Sequence, residues 1–405
     1  MKKRILVLVI IFVLLNIYIS IRFCQNYYLG SFISLNNDDV KYIRSGLYLL
    51  REGRLIYRSK LDTVYIMPGL PIVLALFLSF FSLFKAVLAF RIFQAIIQGI
   101  SLALIYLLAK EVFNERVGAL ASLIDALYLP EYFVTQVVLT EGIFKFLFLC
   151  SLYFLVLALK EDNERHYYLS GLFWSLSLYF KPVIALLPVV LVIYWIREGF
   201  DYKWCVRISF KVAIIFVLIL SPWWIRNYLI FKRFVPFTLS SGNPMLQATY
   251  VNYDQSKDYV PYKTSDDEIR NDEIERKIAK ERFISQLNKD PKGYLYWYLI
   301  KKQIYLFNRP FYWRNVFGVR LKYVNYVHNF IVVLGFLGML LSFGRISKIL
   351  KYVVVYFIIV YIPYFTFSRY GYPLMPILMI FCSYILQKNF SFDKRRIFNW
   401  DVEYF

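Results

Sequence analysis

The sequence predicts an all-α polytopic membrane protein, a bundle of about ten transmembrane helices with further helices lying on its outer face. Two observations lead to this fold class. Of the 405 residues, 59% are hydrophobic and 20% are aromatic, above the ~45–50% apolar usage of ordinary soluble domains. In addition, apolar runs approaching the ~20 residues that a bilayer-spanning helix needs recur along most of the chain.

The candidate spans follow from these apolar runs. They lie near 5–22, 86–108, 117–130, 142–159, 168–196, 208–224, 328–343, 352–367 and 373–387. The run 168–196 is long enough for two short helices, and Lys181-Pro182 is the predicted break between them. A further run, Pro68 to Phe84, is ambiguous because a full crossing there would reverse the sidedness of everything that follows.

The distribution of Lys and Arg predicts the orientation of the chain in the membrane, because short loops rich in these residues stay in the cytosol. If 68–84 does not cross, six short segments that fall on the inside carry 17 Lys and Arg, whereas the link 131–141 on the outside carries none. We therefore expect a multi-pass protein of the plasma (inner) membrane with both termini cytosolic. Residues 68–84 then form a juxtamembrane or re-entrant helix on the extracytoplasmic face.

This topology predicts three parts. Residues 1–224 form an N-terminal transmembrane catalytic module, which includes a first outer loop at 23–67 and the juxtamembrane helix at 68–84. Residues 225–325 form an extracytoplasmic loop region, in which 264–290 has a partial helical stripe of apolar residues: Ile269, Ile274, Ile278, Phe283 and Ile284. Residues 326–405 supply the C-terminal transmembrane helices and a cytosolic tail.

Composition narrows the functional classes. A net charge of +21 would indicate nucleic acid as the partner of a soluble chain, but in this chain the cations mark loops beside the bilayer, and no nucleic-acid partner is expected. Four cysteines lie far apart in apolar stretches and there are two histidines. This pattern provides neither a disulfide framework nor a thiolate or histidine metal site.

Adjacent carboxylates stand out in the first outer loop, where Asp38 and Asp39 follow two asparagines. On residue chemistry alone, this is an Asn/Asp turn that caps a helix starting near Val40. A role in function is also possible for the pair. It lies just beyond the predicted outer end of the first membrane span, where an acid can meet a substrate from outside.

The run Asp38-Asp39-Val40-Lys41-Tyr42, with the later Pro-containing MPGLP at 67–71, resembles the first loop of the GT-C glycosyltransferases. These multispan enzymes include the protein O-mannosyltransferases and the aminoarabinose transferases of lipid A. The resemblance implies that Asp38 is the catalytic acid. The sequence departs from the family at Met67, where the aminoarabinose transferases carry a lysine.

Later segments follow in the same order as in that family. LTEGIFKF places Glu141 at a second acidic position. SPWWIRNYLIFKRFVPFTLSSGNPML (221–246), which contains Arg226 and Asn227, closely resembles family-39-like bacterial members, as does SRYGYPLMP (368–376) with Arg369 and Tyr370. No Trp-Trp-Asp motif is present, which argues against N-glycosylation of peptides.

The resemblance implies transfer of a sugar from a polyprenyl-phosphate donor to a hydroxyl of a glycan, lipid or protein acceptor. Asp38 would act as base in a single inverting displacement, and burial would raise its pKa. Asp39 and Glu141 would orient the acceptor or share a divalent cation such as Mg²⁺ or Mn²⁺ with Asp38, and metal dependence is left open. Substrate binding is expected from Lys41, Tyr42, Lys181, Arg226, Asn227, Arg369 and Tyr370.

Structural alternatives remain for several of these residues. Glu141 could simply stabilise a helix N-terminus, and the cations at span ends could anchor helices in the interface. Inside the spans, Arg91 and Asp125 are expected to form a structural ion pair. The Tyr- and Trp-rich stretch 294–315 is expected to form an interfacial belt. The alternative function is a carrier or flippase of polyprenyl-linked or other amphiphilic substrates.

Overall fold

The computed structural model describes residues 2–161, 163–256 and 258–398, and over these residues the chain is helical and has no β-strand. The predicted cytosolic tail lies partly outside the described residues. The helices are α1 Lys2–Arg22, α2 Asp38–Glu52, α3 Gly69–Phe80, α4 Leu83–Val112, α5 Glu115–Leu127, α6 Leu129–Gln136, α7 Glu141–Glu161, α8 Glu164–Leu178, α9 Leu187–Glu198, α10 Tyr202–Phe231, α11 Gly242–Ala248, α12 Glu268–Lys289, α13 Pro291–Tyr296, α14 Lys302–Ile304, α15 Leu321–Leu341, α16 Ser347–Val360, α17 Ser368–Gly371 and α18 Met375–Phe398.

The all-α membrane fold class is confirmed. Within the described residues, 6 helices are long and apolar enough to cross a bilayer, or up to 7 if α5 and α6, which are bent by 59° against each other, form one span. Three predicted spans contain shorter helices, namely α8, α9 and α16, which have 15, 12 and 14 residues. At 1.5 Å per residue, each is shorter than the ~30 Å hydrocarbon core.

The predicted break at Lys181-Pro182 is present between α8 and α9, where a 3₁₀ turn covers Pro182–Ile184. The ambiguous run 68–84 contains α3, a separate helix of 12 residues that is too short to cross, and α4 begins directly afterwards. At the start of α3, the Gly69 amide donates to the carbonyl of Tyr179 at 2.9 Å. A Cβ on Gly69 would lie 2.5 Å from that carbonyl oxygen, so glycine allows α3 to approach the break beside Lys181.

Loops predicted to share a side of the membrane do meet at one end of the bundle. At one end, Lys160 of α7 pairs with Glu111 of α4 at 2.7 Å, and Lys348 of α16 pairs with Glu198 of α9 at 2.8 Å. At the other end, the first outer loop, the α8–α9 break and the start of α17 come together around Arg369. The arrangement agrees with the predicted topology, although which end faces the cytosol stays a prediction.

Side-chain caps explain where several helices begin. Asn37 accepts a hydrogen bond from the backbone amide of Asp38 at 2.7 Å, so α2 starts at the predicted Asn/Asp turn, two residues before Val40. Asp267 likewise accepts from the amides of Ile269 and Arg270 and starts α12. Each cap satisfies amides that have no partner within their own helix.

The long outer region contains α11 to α14, and α12 buries a polar face. Its buried residues are Asn271, Asp272, Glu275, Ala279 and Arg282, whereas Ile284 of the predicted stripe is exposed. The polar side chains are satisfied by α11 and the preceding loop: Asp272 accepts from the amide of Gly242 at 2.6 Å. Ile269, Ile278 and Phe283 of the predicted stripe do pack against hydrophobic clusters, so the packed surface of α12 includes the stripe and a polar face beside it.

Aromatic residues of 294–315 are partly internal. Trp297 is buried and donates through its indole N–H to the carbonyl of Ala248 at 3.0 Å, and Tyr294 donates to the carbonyl of Thr249 at 3.2 Å. Leu295, Tyr296 and Leu299 remain exposed on the opposite side. Only part of this stretch is thus free to form the predicted interfacial belt.

Candidate active site

Asp38 is the first residue of α2, and both of its carboxylate oxygens accept hydrogen bonds. Oδ1 accepts from the hydroxyl of Tyr57 at 2.6 Å, and Oδ2 accepts from Nη1 of Arg369 at 2.7 Å. Arg369 stands near the start of the last membrane segment. The arginine therefore joins the first outer helix to the opposite end of the chain.

The same guanidinium also binds Glu141, the first residue of α7. Nε of Arg369 donates to Oε1 of Glu141, and Nη2 donates to Oε2 at 3.3 Å. Nζ of Lys181 forms a second ion pair with Oε1 at 2.7 Å. Asp38, Glu141, Lys181 and Arg369, which we call the central ion cluster, thus contain two carboxylates and two cations.

A cavity of about 280 Å³ opens over this cluster. Its walls come from the first outer loop, the α8–α9 break, the loop before α11 and α17. Residues lining it include Asp38, Lys41, Tyr42, Tyr57, Arg58, Tyr65, Met67, Thr140, Lys181, Thr238, Ser240, Arg369 and Tyr370.

Cations outnumber carboxylates on the cavity wall. Lys181 and Arg369 are paired within the central ion cluster, whereas the side chains of Lys41 and Arg58 form no ion pair with a carboxylate among the described residues. The backbone amide of Arg58 donates to Glu268 at 3.2 Å. The Arg58 guanidinium lies over the ring of Tyr65, 3.8 Å from its centroid. The cavity therefore offers positive charge that the protein itself does not neutralise, which suits an anionic ligand.

The pKa of Asp38 departs from the sequence-based expectation. Burial raises the pKa of this carboxyl, but the charge of Arg369 and the hydrogen bond from Tyr57 outweigh burial, and the net pKa is lowered. The prediction of a raised pKa is therefore wrong, because sequence alone did not reveal the arginine contact. Asp38 is a carboxylate at neutral pH.

Asp39 does not line the cavity. Its buried carboxylate accepts hydrogen bonds from the backbone amides of Leu29 and Gly30, at 2.7 and 3.1 Å. Burial raises the pKa of Asp39, although these amides oppose the shift. Consecutive residues of a helix point about 100° apart. Asp38 therefore faces the cavity, whereas Asp39 is hydrogen-bonded to the backbone of the loop before α2.

Arg226 and Asn227 are also set back from the cavity. Arg226 donates to the carbonyl of Thr63 at 2.7 Å and lies 3.5 Å from Asp62. Asn227 is buried and donates to the carbonyl of Val235 at 3.1 Å. Through these contacts, the two residues connect the end of α10 to the outer loops.

The remaining predicted site residues do reach the cavity. Tyr42 packs against Tyr57 with ring centroids 5.2 Å apart, and Nζ of Lys41 lies 5.8 Å from the Tyr57 ring centroid. Tyr370 stacks on Tyr361 at 5.1 Å, with Nζ of Lys181 5.3 Å from the Tyr370 ring centroid. The structure thus brings Asp38, Lys41, Tyr42, Lys181, Arg369 and Tyr370 together, with Glu141 directly behind them.

Tyr57, Arg58 and Tyr65 were not anticipated. They lie in the irregular segment between α2 and α3, which carries no recognised motif. The available signal was the density of Tyr and Arg in RLIYRSKLDTVY, positioned between the acidic pair and MPGLP. Sequence reasoning assigned that stretch no role.

A second buried ion cluster lies one helical turn along from the first. Lys145, four residues after Glu141 on α7, forms an ion pair with Glu131, and the hydroxyl of Tyr372 donates to Glu131 at 2.7 Å. Asp125 lies beside this pair. The predicted Arg91–Asp125 pair is wrong, since Arg91 instead donates to the carbonyl of Cys24 at 2.6 Å and lies over the ring of Tyr28.

Comparisons with known proteins agree with the architecture. The family model described as Dolichyl-phosphate-mannose-protein mannosyltransferase matches residues 68–225. A search of curated proteins finds no significant match.

Two solved structures share the fold. ArnT from Cupriavidus metallidurans, bound to undecaprenyl phosphate, matches with a TM-score of 0.57 and 14% identity over 94% of this chain and 60% of its own. The archaeal oligosaccharyltransferase AglB from Archaeoglobus fulgidus, in complex with an inhibitory peptide and a dolichol-phosphate, matches with a TM-score of 0.57 and 14% identity over 98% of this chain and 51% of its own. The chain thus spans little more than half the length of these proteins. Its predicted resemblance to the GT-C glycosyltransferases is confirmed.

Proposed function

We propose that this protein is a membrane glycosyltransferase that transfers a sugar from a polyprenyl-phosphate donor to a hydroxyl acceptor. The GT-C fold and the mannosyltransferase description of the matching family support the reaction class. ArnT and AglB are bound to a polyprenyl or dolichol phosphate, which supports a lipid-linked donor for this chain as well. The acceptor is an envelope glycan, lipid or protein.

The observation that carries the proposal is the position of Asp38 in the cationic cavity. Cleavage of the sugar–phosphate bond leaves negative charge on a lipid phosphate, and fixed cations stabilise such developing charge. Lys41, Arg58, Lys181 and Arg369 all line the cavity that holds Asp38. A base and a set of phosphate-binding cations are thereby available to the same ligand.

The proposed chemistry is a single displacement with inversion. The acceptor hydroxyl oxygen forms a bond to the anomeric carbon while the bond from that carbon to the phosphate oxygen breaks. The hydroxyl proton passes to Asp38, and the electron pair of the broken bond leaves with the polyprenyl phosphate. Because the phosphate is already a good leaving group, the reaction needs a base on the acceptor side more than an acid on the donor side.

The lowered pKa of Asp38 keeps the base ready at neutral pH. Below its pKa, Asp38 would be protonated and unable to accept a proton, so activity falls on the acid side only. We expect the bound donor phosphate to attract Arg369 and so weaken its contact with Asp38. The carboxylate would then become a stronger base when the donor is in place.

Substituting Asp38→Asn tests this role. We expect turnover of a labelled polyprenyl-phosphate sugar to fall by at least about 100-fold, while binding of the donor, measured separately, persists. Asp266→Asn, at an exposed carboxylate of the long outer loop, is the matched control. Undiminished turnover in the Asp38 variant would remove Asp38 from the mechanism.

We further propose that the cavity faces outward from the plasma membrane and that both termini are cytosolic. Asn114 and Lys263 are exposed near opposite ends of the bundle, and each can carry a single cysteine in a background without the natural ones. A maleimide that cannot cross membranes should label Lys263→Cys in intact cells and Asn114→Cys only after lysis. The reverse pattern would invert the topology.

The alternative function, a carrier of amphiphilic lipids, would depend on charges within the spans such as Arg91 and Asp125. Both are buried, and neither lines the cavity. Arg91→Gln and Asp125→Asn separate the two functions, since a carrier would lose lipid movement in these variants and show no sugar transfer in the parent protein.

A further inference from the structure

The central ion cluster bears directly on whether the protein uses a divalent cation. Asp38, Asp39 and Glu141 are the acids from which a shared Mg²⁺ or Mn²⁺ was expected. Such ions take about six oxygen ligands, commonly from carboxylates and waters. Asp39 cannot contribute in this arrangement, because its carboxylate is bound to the amides of Leu29 and Gly30.

The four oxygens of the two remaining carboxylates already have protein partners. On Asp38, Oδ1 accepts from Tyr57 and Oδ2 from Arg369. On Glu141, Oε1 contacts Arg369 and Lys181, and Oε2 contacts Arg369 and the hydroxyl of Thr140 at 3.5 Å. A metal ion would have to displace these donors from both acids.

The charge balance of the central ion cluster also argues against a bound divalent cation. Two carboxylates in the central ion cluster face one guanidinium and one ammonium, so the cluster is neutral without any added ion. A divalent cation would enter beside two positive side chains. Arg369 cannot relieve the repulsion by losing a proton, because arginine remains protonated in proteins.

We infer that Arg369 occupies the position between Asp38 and Glu141 that a divalent cation would otherwise take, and that the chain therefore supplies this cation as a side chain. The planar guanidinium suits the task because its fork of N–H groups can bind two carboxylates at once. In this arrangement, Nε, Nη1 and Nη2 each donate to an acid. An arginine has five N–H groups, so two remain to meet a ligand in the cavity.

The inference rests on the proposed function only for its effect on turnover, so its first test measures metal binding alone. Titration of the purified full-length protein with Mn²⁺, followed by electron paramagnetic resonance, should show no stoichiometric site. Arg369→Ala removes the guanidinium, so that Asp38 has no cationic partner and Glu141 keeps only Lys181, and this variant should gain a Mn²⁺ site that Asp38→Asn in the same background abolishes. Arg233→Ala, which removes a surface arginine paired with Glu273, should bind no Mn²⁺.

Two results would overturn the inference. One is a Mn²⁺ ion bound by the parent protein and lost on Asp38→Asn. The other is an Arg369→Ala protein that elutes as a folded species in size-exclusion chromatography yet binds no more Mn²⁺ than its parent. If Arg369→Ala does not fold, Arg369→Ser with added guanidinium during purification takes its place, and the ion is removed before the titration.

Turnover supplies the second readout. Chelators should leave the activity of the parent protein unchanged, and Arg369→Ala should lose about 100-fold or more, as when a donor to developing charge is removed. Added guanidinium should restore part of the loss, while added sodium should not. Activity that disappears with a chelator and returns with Mg²⁺ would contradict the inference while leaving glycosyl transfer intact.

Discussion

The hydroxyl of Tyr57 lies 2.6 Å from Oδ1 of Asp38 and donates a hydrogen bond to it. The tyrosine is buried, and its pKa lies well above the usual value, first because of burial and then because of the neighbouring Tyr42 and the negative charge of Asp38. Tyr57 therefore remains a protonated donor throughout the working pH range. It holds the carboxylate in its ionised form and in a fixed orientation.

Removing this hydroxyl should alter the pH profile as well as the rate. In Tyr57→Phe, Asp38 loses a donor that lowers its pKa, so the acid limb of turnover should move to higher pH. A hydrogen bond to a charged group is worth about 1.5–3 kcal/mol, which corresponds to a displacement of this limb by about one to two pH units, so the rate falls most at acid pH. Tyr65→Phe, whose hydroxyl is bonded to Arg58 instead, should leave the acid limb in place, and an unshifted limb in Tyr57→Phe would contradict the assignment.

Lys41 and Arg58 should govern donor affinity rather than chemistry. Lys41→Met or Arg58→Met each removes an unpaired cation from the cavity wall. We expect KM for the lipid-linked donor to rise about fivefold per substitution, or about 1 kcal/mol, with little change in kcat. Because such interactions are screened by salt, the parent should lose affinity more steeply with ionic strength than the double variant does.

Lys60→Met is the matched comparison, since this exposed lysine belongs to the same loop but does not line the cavity. An equal rise of KM in Lys60→Met would show that only the general charge of the outer surface matters.

The Lys145–Glu131 pair should dominate the stability of the bundle below the cavity. Both side chains are completely buried. Lys145→Met would leave the Glu131 carboxylate without its cation, at a cost of about 3–5 kcal/mol, and the thermal unfolding midpoint in detergent should fall. Adding Glu131→Gln should recover most of the loss, because the uncompensated charge is then gone.

An exposed pair provides the contrast. Lys160, whose side chain is 47% exposed, pairs with Glu111 at the other end of the bundle. Lys160→Met should cost no more than about 1 kcal/mol. Equal effects at the two lysines would mean that burial does not set their energetic importance.

Lys302 should make stability depend on pH. Burial lowers the pKa of this lysine to about 7, and its Nζ lies 4.0 Å from the Tyr298 ring centroid. Between about pH 7 and the ordinary lysine pKa of about 10.4, the unfolded chain binds a proton that the folded chain does not. Stability attributable to Lys302 therefore rises with pH across this window and is lowest below it.

Lys302→Met should accordingly stabilise the protein most at pH 7 and below, and should flatten the rise toward pH 9. Unfolding midpoints of the parent and the variant at several pH values measure the difference, with the exposed Lys280→Met as control. A constant difference between parent and Lys302→Met across the window would contradict the lowered pKa.

Sequence predicted the helical class and the break at Lys181-Pro182, because apolar run length and proline are local signals. It predicted neither the bend between α5 and α6 nor the shortness of α8, α9 and α16, since hydropathy does not report where a helix stops within an apolar run. Sequence also did not predict that α12 buries polar residues beside its apolar stripe. Its buried acids and Arg282 are satisfied by partners distant in sequence, such as Asp258 and Gly242.

For the site, the family resemblance supplied Asp38 and Arg369, but not their contact. A pattern of residues cannot show that one arginine binds both acids, and this contact reverses the expected direction of the Asp38 pKa. Asp39 illustrates the opposite error. Two adjacent acids appeared equivalent in sequence, whereas the start of α2 directs one toward the cavity and the other toward the backbone of Leu29 and Gly30.

The contact between Arg369 and Asp38 also sets an order of events during synthesis. These residues are 331 positions apart, so the ribosome makes Asp38 long before the arginine exists. Until the last membrane helix inserts, Asp38 and Glu141 lack the guanidinium that joins them. We therefore expect a product truncated before Arg369 to insert in the membrane without the bridge between Asp38 and Glu141 that the guanidinium forms.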